Sequence, residues 1–124
     1  MDATSADATL AALLATRAQV AARVDEFDSV AKELADARGD ADSDDEHDPE
    51  GSTIAWDRAA QEATAEGARA HLAEIDAAIE RLQSGWDGLC ASCGRPIPPE
   101  RLAARPSADR CVPCASDRSR SARR

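Results

Sequence analysis

The residues with the most definite chemistry are four cysteines in CASCGRPIPPERLAARPSADRCVPC. Cys90, Cys93, Cys111 and Cys114 are spaced C-x2-C-x17-C-x2-C and are the only cysteines of the chain. A C-x2-C pair turns as a knuckle that aims two thiolates at one point, and two knuckles complete a tetrahedral shell for zinc. Gly94, directly after the second sulfur, can take the positive φ that such a turn needs. Two disulfides are the competing reading, and a redox-active C-x-x-C pair is another. The first needs an oxidising compartment, and the second needs a βαβ setting absent from this pattern. Four thiolates leave a zinc ion no position for water, so one structural zinc is expected. Its role is to stabilise a segment too short to bury much apolar surface.

A second concentration of chemistry is the acidic run Asp40, Asp42, Asp44, Asp45, Glu46, Asp48, Glu50. Clustered carboxylates can attract a divalent cation or repel a nucleic-acid end, but the run fails the calcium-loop pattern for want of its glycine. It reads first as a solvated loop. His47 within it and His71 further on read as surface residues.

These groups need elements to position them. Residues 7–38 place Leu10, Leu13, Arg17, Val20, Val24, Phe27, Ala31 and Leu34 at alternating steps of three and four, the mark of a helix with one buried stripe. Arg17 is the exception in that seam, Gly39 is a natural stop, and residues 1–6 read as frayed. A second helix is expected from Ser52 or Thr53, either of which can cap it, to about Ser84. Its stripe is Leu72, Ile75, Ile79 and Leu82, continued backward through Ala68, Ala65, Gln61 and Arg58, and Gly85 ends it. The stripes align antiparallel when paired positions sum to 92: Leu10 with Leu82, Leu13 with Ile79, Val20 with Leu72, Val24 with Ala68, Phe27 with Ala65. Agreement between two independently read stripes favours a helical hairpin. Each arm of roughly 30 residues would span on the order of 45 Å.

The expected fold class is therefore mainly α, an antiparallel coiled-coil hairpin followed by a small C4 zinc-finger domain. The hairpin occupies 1–84 with an acidic tip loop at about 39–53, the finger 85–116, and a basic, disordered tail 117–124. Trp86 is placed to pack the finger against the hairpin base, and Trp56 either staples the tip against Leu34 or meets a partner.

Charge separates these parts. Residues 89–124 hold eight Arg against three acidic residues, within a chain whose formal charge is −9. The remainder is strongly acidic, which disfavours free DNA or RNA as its main partner. No apolar run approaches the roughly 20 residues of a membrane span, and the start MDATSADATL lacks a basic segment followed by an apolar one. A cytoplasmic chain is expected, without membrane association. An enzyme is the least supported class, since no open metal site, nucleophile–base pairing or phosphate-binding glycine loop is present.

The finger segment, with Gly94, Ile97, Arg101, Leu102, Ala104, Pro106 and Ala108 in C-x2-C-G-x2-I-x3-R-L-x-A-x-P-x-A-x2-C-x2-C, resembles the C4-type zinc finger of the DksA/TraR family. WDRAAQEA, from Trp56 to Ala63, resembles the D-R-A-A segment at that family's hairpin tip. The resemblance implies a monomeric transcription regulator that binds bacterial RNA polymerase, inserts the hairpin through its secondary channel, and places the tip near the catalytic centre. Some members act with guanosine tetraphosphate, and sequence-specific DNA binding is not implied. Of the family tip pattern D-x-x-D-x-A, Asp57 matches the second aspartate and Ala59 the alanine, while Ile54 stands at the first aspartate. With Trp56, Asp57 and Ala59 form the candidate partner-binding tip. The alternatives are a zinc-ribbon module that binds nucleic acid through its arginines, and a hairpin scaffold that dimerises.

Overall fold

A computed structural model describes residues 1–40 and 49–122, in the order α1 (Ala3–Asp40), α2 (Pro49–Gln83), α3 (Pro99–Ala104) and α4 (Val112–Ala122). Among the described residues there are no strands, only an isolated antiparallel bridge between Leu89 and Pro96. The fold is mainly α, a helical hairpin with a four-cysteine finger, as the apolar periodicity requires. The chain divides into two compact units, one made of Met1–Arg17 with Ala73–Arg124 and the other of Ala18–Leu72.

In the first unit the start of α1 lies along the end of α2. Leu13 and Ile75 are each 1% exposed and Ala78 is 2% exposed, so this is where apolar burial is most complete. Leu10, Ile79 and Leu82 are half-buried around them. The helix starts earlier than expected. Residues 1–6 are not frayed: the Asp2 carboxylate accepts the backbone N–H of Ser5 at 2.7 Å, capping α1 and holding the Asp2 carboxyl below its ordinary range. At the other end, Gly85 has φ +90°, the N–H of Trp86 reaches Arg81 O at 3.0 Å, and that of Gly85 reaches Leu82 O at 3.1 Å. This is a Schellman termination, and it turns the chain out of α2 into the finger.

In the second unit α1 and α2 run antiparallel with Val20, Val24 and Ala65 buried between them. Arg69 spans the arms, its Nη2 donating to Asp28 Oδ1 at 2.6 Å and its Nη1 to Glu62 Oε1 at 3.1 Å. Both helices extend further toward the tip than expected. α1 passes through Gly39 to Asp40, since one glycine within a helix costs only about 1 kcal/mol relative to alanine. α2 begins at Pro49 rather than Ser52 or Thr53, because proline's preset φ and missing N–H suit a first turn. Residues 41–48, with His47 and most of the acidic run, lie outside the described residues. The tail expected to be disordered from 117 onward is helical in α4 as far as Ala122. No helix among the described residues is long and apolar enough to cross a membrane.

Candidate metal centre and hairpin tip

Each knuckle is held by its own backbone. Around the first, Cys90 N–H donates to Arg95 O at 2.8 Å, Gly94 N–H to Cys90 O at 3.0 Å, and Ile97 N–H to Gly88 O at 2.9 Å. Gly94 takes φ +74°, the conformation its position after the second sulfur calls for. The second knuckle is the start of α4: Cys111 immediately precedes it, Cys114 lies in its first turn, and Ala115 N–H donates to Cys111 O at 3.0 Å. Pro113 is tolerated there because a first-turn N–H has no partner within the helix. One bond ties the knuckles together, from Ala91 N–H to Asp109 O at 2.8 Å.

The result is four thiol sulfurs within 4.8 Å of one another, Cys93 and Cys111 being 3.7 Å apart. A tetrahedral zinc with bonds of about 2.3 Å separates its sulfurs by about 3.8 Å, so the set fits that ion. All four cysteines are free thiols, which sets aside the disulfide reading. The N–H groups of Ser92 and Cys93 point at Cys90 Sγ at 3.4 and 3.5 Å. Donation from the Cys93 backbone is the main reason the Cys90 thiol is brought down to about 6. Cys114 is pushed up to about 12, chiefly by its hydrogen bond with Cys111. Four cysteines in this arrangement hold one structural zinc, and four thiolate ligands leave it no open position.

Beneath the sulfurs lies a small core of Cys90, Ile97, Leu102 and Ala108, with Trp86 packed against it. Trp86 closes the hairpin base onto the finger, its Nε1–H donating to Leu89 O at 3.1 Å while the Arg81 guanidinium lies 5.4 Å from its ring centre. Arg101 Nε donates to Arg110 O at 2.6 Å, fixing the backbone that presents Cys111. Its place in the finger pattern was the sequence signal for that role, whereas nothing in the spacing indicated the stacking of Arg81. The same unit holds a cleft of about 320 Å³ lined by Arg81, Arg101, Arg105 and Arg110, in which Glu74 pairs with Arg105 at 3.6 Å.

The candidate tip residues lie in the other unit. Asp57 and Ala59 are exposed, as are Ile54 at 49% and Trp56 at 78%. Trp56 is therefore not a staple against Leu34. The seam of α2 runs through Arg58, Gln61 and Ala65, and Trp56, two residues from Arg58, points about 200° away around the helix. His71 is exposed, as its position beside the stripe suggested.

Comparison with known proteins agrees with this geometry. Residues 84–120 match the family profile described as prokaryotic dksA/traR C4-type zinc finger. The structure of transcription factor DksA2 from Pseudomonas aeruginosa superposes with a TM-score of 0.77 at 29% identity, covering 100% of this chain and 90% of that one. An uncharacterized protein of Aquifex aeolicus (strain VF5) is 44% identical over 48 residues, which is 39% of this chain and 33% of that protein's length.

Proposed function

We infer, from the premise that this chain is a DksA/TraR-type protein, that it regulates transcription by binding bacterial RNA polymerase through the secondary channel. The observation that carries the reading is the whole-length likeness to a transcription factor together with the four-cysteine finger at the hairpin base. In this reading the zinc, when bound, stabilises the finger and takes no part in a reaction. The chain acts as a cytoplasmic monomer whose hairpin carries the tip toward the polymerase catalytic centre. Asp57 supplies a carboxylate that interacts with groups around that centre, and Ala59 permits close approach. Trp56, left uncovered by its own fold, supplies apolar contact area.

Ile54 in place of the first tip aspartate removes one negative charge from that set, so regulation by this protein rests on Asp57 and on whatever charge the acidic run adds. Guanosine tetraphosphate belongs to the same proposal as a co-effector. Its phosphates require cationic partners, which the arginine-lined cleft at the hairpin base offers, although Glu74 offsets part of the charge there.

The test is retention of core polymerase on the immobilised protein, followed by transcription in vitro with the native chain and with Asp57→Asn, each with and without guanosine tetraphosphate. Retention of polymerase and loss of the effect in Asp57→Asn are expected. Failure to retain polymerase, with strongly salt-dependent binding to bare DNA, would transfer the function to the basic finger as a nucleic-acid module. A stable dimer in sedimentation, closed through the α1 stripe, would make it a scaffold.

A further inference from the structure

Toward the tip the two stripes stop matching in kind. α1 continues its apolar seam through Phe27, Ala31 and Leu34, while α2 meets it with Ala65, Gln61 and Arg58 at the facing positions. Large side chains meet small or polar ones, and the arms leave a cavity of about 330 Å³ lined by these six residues among others. Among them Ala65 is buried, and Phe27 and Leu34 are half-buried.

Arg58 is the chemically unsettled member. Its side chain lines the cavity, and its Nε is buried with no hydrogen-bond partner. Glu62, the one acid that lines the cavity, pairs with Arg69, as does Asp28 on the facing arm. The residue as a whole is half-buried, and its guanidinium stays charged at any physiological pH, so it presents a permanent positive charge to the cavity. A buried N–H without an acceptor is costly, which favours an acceptor that enters the cavity.

We propose that this cavity binds a small amphipathic carboxylate, with the carboxylate on Arg58 and the apolar body against Phe27 and Leu34. The volume is at the lower end of the range for ligand cavities, roughly 300–1,000 Å³, which suits a small molecule better than a nucleotide or a peptide. Because Ala59 lines the same cavity and Asp57 adjoins Arg58 in the chain, an occupant braces the helix segment that carries the tip residues. Only this regulatory consequence rests on the polymerase reading; binding is a property of the free chain.

The experiment is a titration of the full chain followed by methyl NMR, with hexanoate as the probe, hexanol as its neutral counterpart and acetate as the charge without the apolar body. Hexanoate is expected to shift the Leu34 and Ala65 methyl signals saturably and to bind about tenfold or more tighter than either control. Arg58→Met should abolish that preference while leaving hexanol binding unchanged, and Ala31→Leu should fill the cavity and weaken both ligands. If Arg58→Met fails to fold, the comparison of the three probes on the native chain decides alone. The proposal is overturned if hexanoate gives no saturable shift, as water filling alone would produce. It is equally overturned if hexanol or acetate binds as tightly as hexanoate, or if folded Arg58→Met keeps the preference. Loss of polymerase binding elsewhere would not alter these readouts.

Discussion

Arg17 Nε and Asp76 Oδ1 meet at 2.5 Å across the two arms, at the one position where the apolar stripe of α1 is broken by a charge. The alignment of the stripes sets Arg17 opposite Ile75, yet Ile75 stays 1% exposed because the guanidinium reaches to the neighbouring carboxylate instead. Hydrogen bonding to Asp76 is the main reason the Arg17 pKa is raised. Both side chains remain about half open to solvent, at 43% and 47%, so water and salt screen the pair. Arg17→Ala is therefore expected to lower the melting temperature only slightly, and less so at high ionic strength. Arg17→Leu, which restores the stripe, should match or exceed the native chain in the same melts.

The fully buried positions behave differently. Leu13→Ala or Ile75→Ala removes a side chain that is 1% exposed, leaving a void that the surroundings fill only in part. Each is expected to cost about 2–5 kcal/mol, read as a shift in the urea midpoint at constant slope.

Trp56→Ala should separate stability from function. At 78% exposure its removal is expected to change stability by no more than about 0.5 kcal/mol. Retention of polymerase should nevertheless weaken, measured side by side with the native chain. Equal retention would remove Trp56 from the proposed tip contacts.

Zinc can be followed through the other tryptophan. Native mass spectrometry is expected to show one zinc per chain, and a strong chelator to expose Trp86, which packs on the cysteine core, with a red shift in its emission. Trp56 is already exposed and should contribute little to that shift.

The pH dependence of zinc binding has a definite sign. Zinc takes thiolates, so protons compete with it below the thiol pKa values. Cys90, held near 6 by the Cys93 N–H, is already largely ionised at neutral pH, whereas Cys114, pushed up to about 12, must release its proton when the metal binds. Affinity should rise from pH 6 to pH 8, with net proton release, as measured by chelator competition and by calorimetry in buffers of different ionisation enthalpy. In the metal-free chain the lowered Cys90 pKa contributes stability that is fully present above the unfolded thiol value of 9.0 and is lost as pH falls toward 6. The raised Cys114 pKa acts in the opposite direction, contributing stability below 9.0 that is lost as pH rises toward 12.

The helical hairpin and the metal ligands were legible in the residues themselves, because both depend on short-range spacing. Steps of three and four mark one face of a helix wherever it packs, and C-x2-C brings two sulfurs together by local turn geometry. The helix ends were less legible. Asp2, Pro49 and Gly39 carry signals that favour starting, starting and stopping, and α1 runs through the last of these because one glycine is a weak obstacle in a long helix. Tertiary structure alone decided the reach of Arg17 to Asp76 and the placing of Arg58 in a cavity between large and small side chains. Each of those depends on how two distant stretches of chain face one another, and that relation is not contained in the spacing along either one.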